Sequence, residues 1–420
     1  MLLTTRCRTI AIVFWLCAFV TIPIWTRTDQ AGYDIVFYHN AITSLRAGHD
    51  PYLDAIQRQQ TFHQTLAQHP DAYPPCSYVY SPITLPLLRL IGLLPEGLAY
   101  TLYWLILVAG VFAVLWVTTS AREQTERTFI TLVAPLAAFC PGLLAHDTIL
   151  SGNVAFILYA LILLGAAYGW RHGIWRWCYL AIFIASCFKP PLLTLLAIPL
   201  FSSRRPWLPV GATAALGLGV FAIQSRLLPT LFLHFMQAVQ LQFTYNHDFG
   251  SSPAGIFSDL LVHYGRSYMP ASVVFYMLYA AVIVGLLFHL SRQYLAGRLT
   301  LQQWMPVLLI GAILLNPRIM EYDAAPLAIP MALVAWRFFT RHGVTARAVI
   351  TYLGAFLLAN LIAVNLHDAW KPTECLLLTT IFSTGVWSLL QQAEAAIPLA
   401  RIDRTEALEE PNPDQDLVPA

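Results

Sequence analysis

Three groups of residues in this chain have the types and spacing to do chemistry. The first surrounds Asp34, in the segment GYDIVFYHNAITSLRAGHDPYLDA, which closely follows a long apolar run at 9–25. A carboxylate just beyond a membrane-crossing run lies near the lipid headgroups, where it can serve as general base for an acceptor hydroxyl. Tyr38 stands four residues on and shares a face with Asp34 if a short helix starts there. The same helix gives Asp34 a plainer reading as its cap. His49, Asp50, Pro51 and Tyr52 spell a turn, with proline fixing one dihedral and aspartate bonding back to the chain. Asp50 and Tyr52 are candidate substrate contacts from that turn, alongside a structural reading. Tyr73, Pro74 and Pro75, then Tyr78 and Tyr80, make a stiffened aromatic stretch suited to stacking on a sugar or to a headgroup belt. Tyr73 joins the candidates.

The second group is Lys189, one of only two lysines in the chain, within CFKPPLL in an apolar run. A cation at membrane depth costs about 2.5–3.5 kcal/mol on insertion scales, so it needs a partner or a pathway. A lipid-linked phosphate is the natural candidate, and snorkelling to an interface is the alternative. The third group is LLNPRIMEYDAAP, with Arg318, Glu321, Tyr322 and Asp323. Arg318 can clamp phosphate oxygens in bidentate fashion, while Glu321 or Asp323 orients it or binds a sugar hydroxyl. A turn of solvated charges would look the same. Two smaller polar islands are Asn246-His247-Asp248 and Asp147 with Gly152 and Asn153, from which Asn153 and Asn246 are candidate contacts. The first long loop has no DxD triplet, so a divalent metal is not expected, and no cofactor is implied.

These residues need elements to hold them, and composition says which. Of 420 residues 58% are hydrophobic and 11% charged, and the mean hydropathy is +0.61. Soluble domains are about 25% charged, so a soluble enzyme is excluded and lipid is the expected solvent and partner. Disorder is excluded by the same figures, and a net charge of +2 gives no reason to expect a nucleic acid partner. Apolar runs long enough to cross about 30 Å of hydrocarbon lie near 9–25, 97–117, 129–146, 153–170, 207–224, 270–290, 303–316, 324–340, 349–365 and 373–391. The first begins like a secretory signal but lacks a small-residue cleavage site, so it reads as a retained span. One further run, 177–201, is broken by Pro190 and Pro191 and reads as two half-spans joined at Lys189. Broken backbone at membrane depth is tolerated where it lines a cavity. Segment 83–94 is too short to span and should lie flat on the interface.

The expected fold is therefore all-α: a polytopic integral membrane protein with about ten full transmembrane helices, a broken helical hairpin, and two larger outer loops at 26–96 and 225–269. Residues 1–392 form that domain, and 393–420 are expected to be an acidic, disordered cytoplasmic tail. Arginine pairs such as Arg171 and Arg176, or Arg204 and Arg205, mark one set of joints as cytoplasmic. By that rule both termini are cytoplasmic and the three groups face outward. The seven cysteines are dispersed without a CxxC pair, which argues for packing roles and no disulfide framework.

Taken together, the sequence resembles the polytopic GT-C class of glycosyltransferases and, within it, glycosyltransferase family 87. The resemblance rests on Asp34-x-x-x-Tyr38 followed by Gly48-x-Asp50-Pro51-Tyr52, on Tyr73-Pro74-Pro75, on Gly152-Asn153 opening a span, on Lys189-Pro190, and on Asn316-Pro317 with Glu321-Tyr322-Asp323. It covers about residues 10–390. That family includes polyprenyl-phosphate-mannose-dependent mannosyltransferases and a related arabinofuranosyltransferase. The resemblance implies inverting transfer of a hexose, mannose first, or a pentose from a polyprenyl-phosphate sugar to a lipid or glycan acceptor outside the cytoplasm. It places Asp34 as base and Lys189 and Arg318 at the donor phosphate, in a plasma membrane or bacterial inner membrane. This chain departs from many members in having Gly152-Asn153 instead of Gly-Gln, and Arg318 to Asp323 in place of a Trp/His stretch, so a histidine role there does not carry over. A transporter or lipid flippase shares the composition and the intramembrane lysine, but would be expected to show internal repeats, which are not visible here. A scaffold of an envelope assembly would leave the clustered polar residues unexplained.

Overall fold

The computed structural model describes residues 33–66, 78–119, 126, 152–246, 249–341, 354, 358 and 370–409. Every regular element among them is helical. In chain order they are α1 (Tyr33–Arg46), α2 (Pro51–Leu66), a 3-10 turn (Pro82–Thr84) running into α3 (Leu85–Ile91), α4 (Glu96–Thr119), α5 (Val154–His172), α6 (Arg176–Phe188), a second 3-10 stretch (Pro190–Leu196), α7 (Ala197–Ser202) and α8 (Trp207–Leu227). Then follow α9 (Pro229–Asn246), α10 (Pro253–His263), α11 (Met269–Leu295), α12 (Leu301–Leu314), α13 (Glu321–Ala324), α14 (Ala328–Arg341) and α15 (Trp370–Glu409).

Two layers result. The larger is an apolar bundle whose continuous core runs through α4, α5, α6, α7, α12, α14 and α15. The smaller packs α1, α2, α3 and α9 around Tyr52, Tyr78, Leu85, Leu88 and Phe235. Both segments expected as loops, 26–96 and 225–269, thus carry helices.

Five described helices, α4, α5, α8, α11 and the Lys371–Ala395 part of α15, are long and apolar enough to cross a membrane. Along α11, Met277, Leu278 and Val282 are more than 60% exposed. A face this apolar on a helix long enough to cross is suited to lipid, and with five such helices the chain is a membrane protein.

The expected runs 303–316 and 324–340 are helical but are not among these five. Helix α12 has 14 residues, roughly 21 Å at about 1.5 Å per residue, while α14 continues the helical stretch that starts with α13 and passes through a 3-10 turn at Ala325–Leu327. Every residue of α12 from Trp304 to Leu314 is buried. An apolar run reads the same whether lipid or protein surrounds it, and here protein does. The expected spans 9–25, 129–146 and 349–365 lie outside the described residues, apart from 354 and 358. Nor does the helical backbone stop near 393. Helix α15 continues to Glu409, so the tail expected to be disordered is helical that far; its sequence, LARIDRTEALEE, is rich in good helix formers.

The break in 177–201 falls where the prolines put it. Lys189 is extended, with φ −131 and ψ 96, between α6 and the 3-10 stretch. Its amide donates to the Ala185 carbonyl at 2.9 Å, and its carbonyl accepts from Leu192 at 2.9 Å, so the break leaves no unpaired backbone at Lys189. Segment 83–94 forms only the turn and α3. Leu85 and Leu88 pack inward while Leu90 and Leu93 stay exposed, the two-faced pattern of a segment that does not cross. Cys178, Cys187 and Cys375 are free thiols.

Candidate active site

Asp34 is the second residue of α1 and is 6% exposed. Its Oδ2 accepts a hydrogen bond from Asn153 Nδ2 at 3.0 Å. Asn153 is the N-cap of α5, and its Oδ1 accepts from the Ala155 amide at 2.9 Å. The residue before it, Gly152, has φ +73, and a Cβ there would lie 2.7 Å from the Ile35 side chain. Only glycine allows both that backbone and the close approach of α1. Tyr103 on α4 donates to the Gly152 carbonyl, fixing the turn from the other side.

Lys189 reaches the same asparagine from the helix break, with Nζ 3.5 Å from Asn153 Oδ1. Its ion-pair partner is Asp323, at 3.6 Å, and its ammonium sits 3.8 Å above the Tyr322 ring, a favourable cation–π geometry. Asp34 also attracts this cation, and Arg318 lies near enough to repel it. The Arg318 guanidinium stands 5.2 Å over the Phe243 ring of α9, and its amide donates to Asn316 Oδ1 at 3.1 Å.

Two tyrosines close the wall. The Val154 amide donates to Tyr38 Oη at 3.1 Å, and Tyr38 and Tyr80 hydroxyls are 3.1 Å apart. Tyr80 Oη is 3.5 Å from Asn153 Oδ1. Burial, and after it the Tyr80 and Tyr103 hydroxyls and the Asp34 carboxylate, push the Tyr38 phenol well above its ordinary value. Burial and then Asp34 do the same to Tyr80. Both phenols therefore remain neutral hydrogen-bonding groups at physiological pH.

The loop carrying Arg318, Tyr322 and Asp323 is held from behind. The Ser251 amide donates to the Ile319 carbonyl at 2.7 Å, and Ser252 Oγ donates to the Pro317 carbonyl. Gly250 has φ +74 and packs so closely that a Cβ would lie 2.2 Å from Ile319 O. Ser251 Oγ donates to Glu374 Oε1 at 2.8 Å, and Glu374 is fully buried on α15.

Of the residues singled out in the sequence, Asp34, Tyr38, Asn153, Lys189, Arg318 and Asp323 thus come together from four distant stretches. Tyr52 and Asp50 do not face this space. Tyr52 has no exposed surface and donates to the Tyr80 carbonyl at 2.7 Å. Asp50 Oδ1 accepts from the Tyr52 amide at 2.9 Å, and its Oδ2 pairs with His234 Nδ1 of α9 at 2.7 Å. Both brace the smaller layer, and both carboxylate oxygens of Asp50 in the turn that drew notice are engaged. Tyr73 lies outside the described residues, and Asn246 and Glu321 are described as helical backbone only. Tyr103, His234, Ser251 and Glu374 were not singled out. Tyr103 and Glu374 are polar groups inside apolar helices, and only that contrast could have flagged them.

The fold and the site define a class, an all-helical membrane protein with a carboxylate and two cations gathered on tyrosine-lined helix ends. The chain belongs to glycosyltransferase family 87, whose family model matches residues 78–317, more than half of its length. That stretch contains Tyr80, Asn153 and Lys189, while Arg318 to Asp323 follow it directly, Asp34 lies well before it, and the fold brings Asp34 and Asp323 alongside. No curated protein and no solved structure matches the chain.

Proposed function

We propose that this glycosyltransferase takes a hexose, mannose first, or a pentose from a polyprenyl-phosphate sugar and passes it with inversion to a lipid or glycan acceptor at the outer membrane surface. The acceptor oxygen attacks the anomeric carbon and gives its proton to Asp34. The bond from that carbon to the phosphate oxygen breaks, and its electron pair leaves with the lipid phosphate. Lys189 and Arg318 stabilise the departing negative charge, the role preorganised cations fill in phosphate displacement. Asp323 holds Lys189 and offers an acceptor to a sugar hydroxyl. Written this way the reaction uses no cofactor or metal, because two side-chain cations supply the charge.

The observation that carries this reading is that the buried Asp34 carboxylate and the Lys189 ammonium meet on one asparagine, with Asp323 paired to the lysine and Arg318 near enough to act on it. The arginine pairs at one set of joints support both termini being cytoplasmic and the site facing away from them, in a plasma membrane or bacterial inner membrane. The test is transfer from a panel of radiolabelled polyprenyl-phosphate sugars, mannose first, to envelope lipid extracts by protein in nanodiscs, wild type against Asp34→Asn. Transfer by wild type alone is expected. Equal transfer by Asp34→Asn removes the base, and movement of labelled lipid across vesicles without transfer would favour a flippase.

A further inference from the structure

Asn153 touches both ends of the chemistry, and its orientation is fixed by an atom that has no choice. A backbone amide can only donate, so the side-chain atom facing the Ala155 N–H at 2.9 Å is the oxygen. The other end, facing Asp34 Oδ2 at 3.0 Å, is therefore the NH2 group. Lys189 Nζ approaches the oxygen end at 3.5 Å. The tyrosines reinforce the same polarity. Tyr38 Oη accepts from the Val154 amide, which leaves its own proton for Tyr80 at 3.1 Å, and Tyr80 then has its proton for Asn153 Oδ1 at 3.5 Å.

We infer that Asn153 is a positioning residue whose single amide stands between the Asp34 carboxylate and the Lys189 ammonium, aiming the first and keeping the second from pairing with it. This goes beyond helix capping and rests on the reading of Asp34 as base. A base locked in a direct ion pair would be a weaker proton acceptor, and Lys189 would be drawn from the phosphate to the base. With the amide in place Lys189 turns to Asp323 at 3.6 Å instead. Among the described residues, Tyr38 on its own helix, Tyr80 before α3 and Tyr103 on α4 also face Asp34.

Capping and positioning can be separated, because serine and aspartate cap helices about as well as asparagine while neither offers an NH2 group to Asp34. Asn153→Ser and Asn153→Asp are compared with wild type and Asp34→Asn in nanodiscs, with radiolabelled polyprenyl-phosphate mannose as probe. Turnover, its pH dependence and thermal melting are read, and the Asp34 carboxyl is titrated by infrared difference against Asp34→Asn. Asn153→Ser is expected to melt like wild type yet turn over at least about tenfold more slowly, since small misplacements of a catalytic group cost that much. Asn153→Asp puts a second carboxylate beside the base and should move the Asp34 titration, and with it the acid limb of turnover, up by about one unit or more. Wild-type turnover in Asn153→Ser with a dead Asp34→Asn would overturn the role of Asn153 and leave the base standing. Normal turnover in Asp34→Asn would overturn both. An unmoved Asp34 titration in Asn153→Asp would overturn the proximity on which the inference stands, whether or not the probe is a substrate.

Discussion

The chain has two lysines, and each pairs with an aspartate at similar distance: Lys189 with Asp323 at 3.6 Å and Lys371 with Asp259 at 3.4 Å. The difference lies in what surrounds the pair. Asp323 is 5% exposed at its side chain and Asp259 is 32% exposed. Around Lys189 stand Asn153, the Tyr322 ring and the field of Asp34 and Arg318. Lys371 instead joins the start of α15 to α10 through the more exposed Asp259, and an ion pair near a surface contributes about 0–1 kcal/mol. Charge pairing by itself therefore does not mark a site; convergence of several segments on a buried pair does.

Experiments can break or sharpen this contrast. Asp34→Asn, which removes the carboxylate that shares Asn153 with Lys189, should show the largest effect, a loss of turnover of about 10²–10⁴-fold, the range for removing a general base, measured by label transfer. Lys189→Met should follow, with donor kcat/KM falling by about 10²-fold or more, as when one preorganised charge contact is lost. It should also melt earlier, because Asp323 is left buried without its cation. The double variant Lys189→Met with Asp323→Asn should recover most of that melting temperature while transfer stays low; recovery of both would reduce Lys189 to a structural ion. Lys371→Met should be smallest, with activity within about twofold of wild type and melting lowered by no more than about 1 kcal/mol in stability. A large loss there would dissolve the contrast.

Much of the site was legible because its residues violate their surroundings. Lys189 is a cation between prolines in an apolar run, and Asp34 is a carboxylate just past another, so cost alone drew attention to both. The break at Pro190 followed from the missing amide donor. Asn153 was visible only as a neighbour of Gly152, since a cap and a ligand read alike. What was not legible depends on tertiary surroundings. The burial of α12 cannot be told from a lipid-facing span by composition. The brace through Ser251 and Glu374 joins residues far apart in the chain. The His234–Asp50 pair was not legible either, because His234 comes from a helix expected to be loop.

The distance along the chain between Asp34 and Asp323 also sets a clock. A ribosome adding about 5–20 residues per second needs roughly 15–60 s to travel from one to the other. Asp34 and then Lys189 are made before the loop of Arg318, Tyr322 and Asp323 exists. The serine turn that braces this loop is made earlier, but Glu374 behind it comes later still. Half-made chains thus hold Asp34 and Lys189 before Asp323, the ion-pair partner of that lysine, has been made.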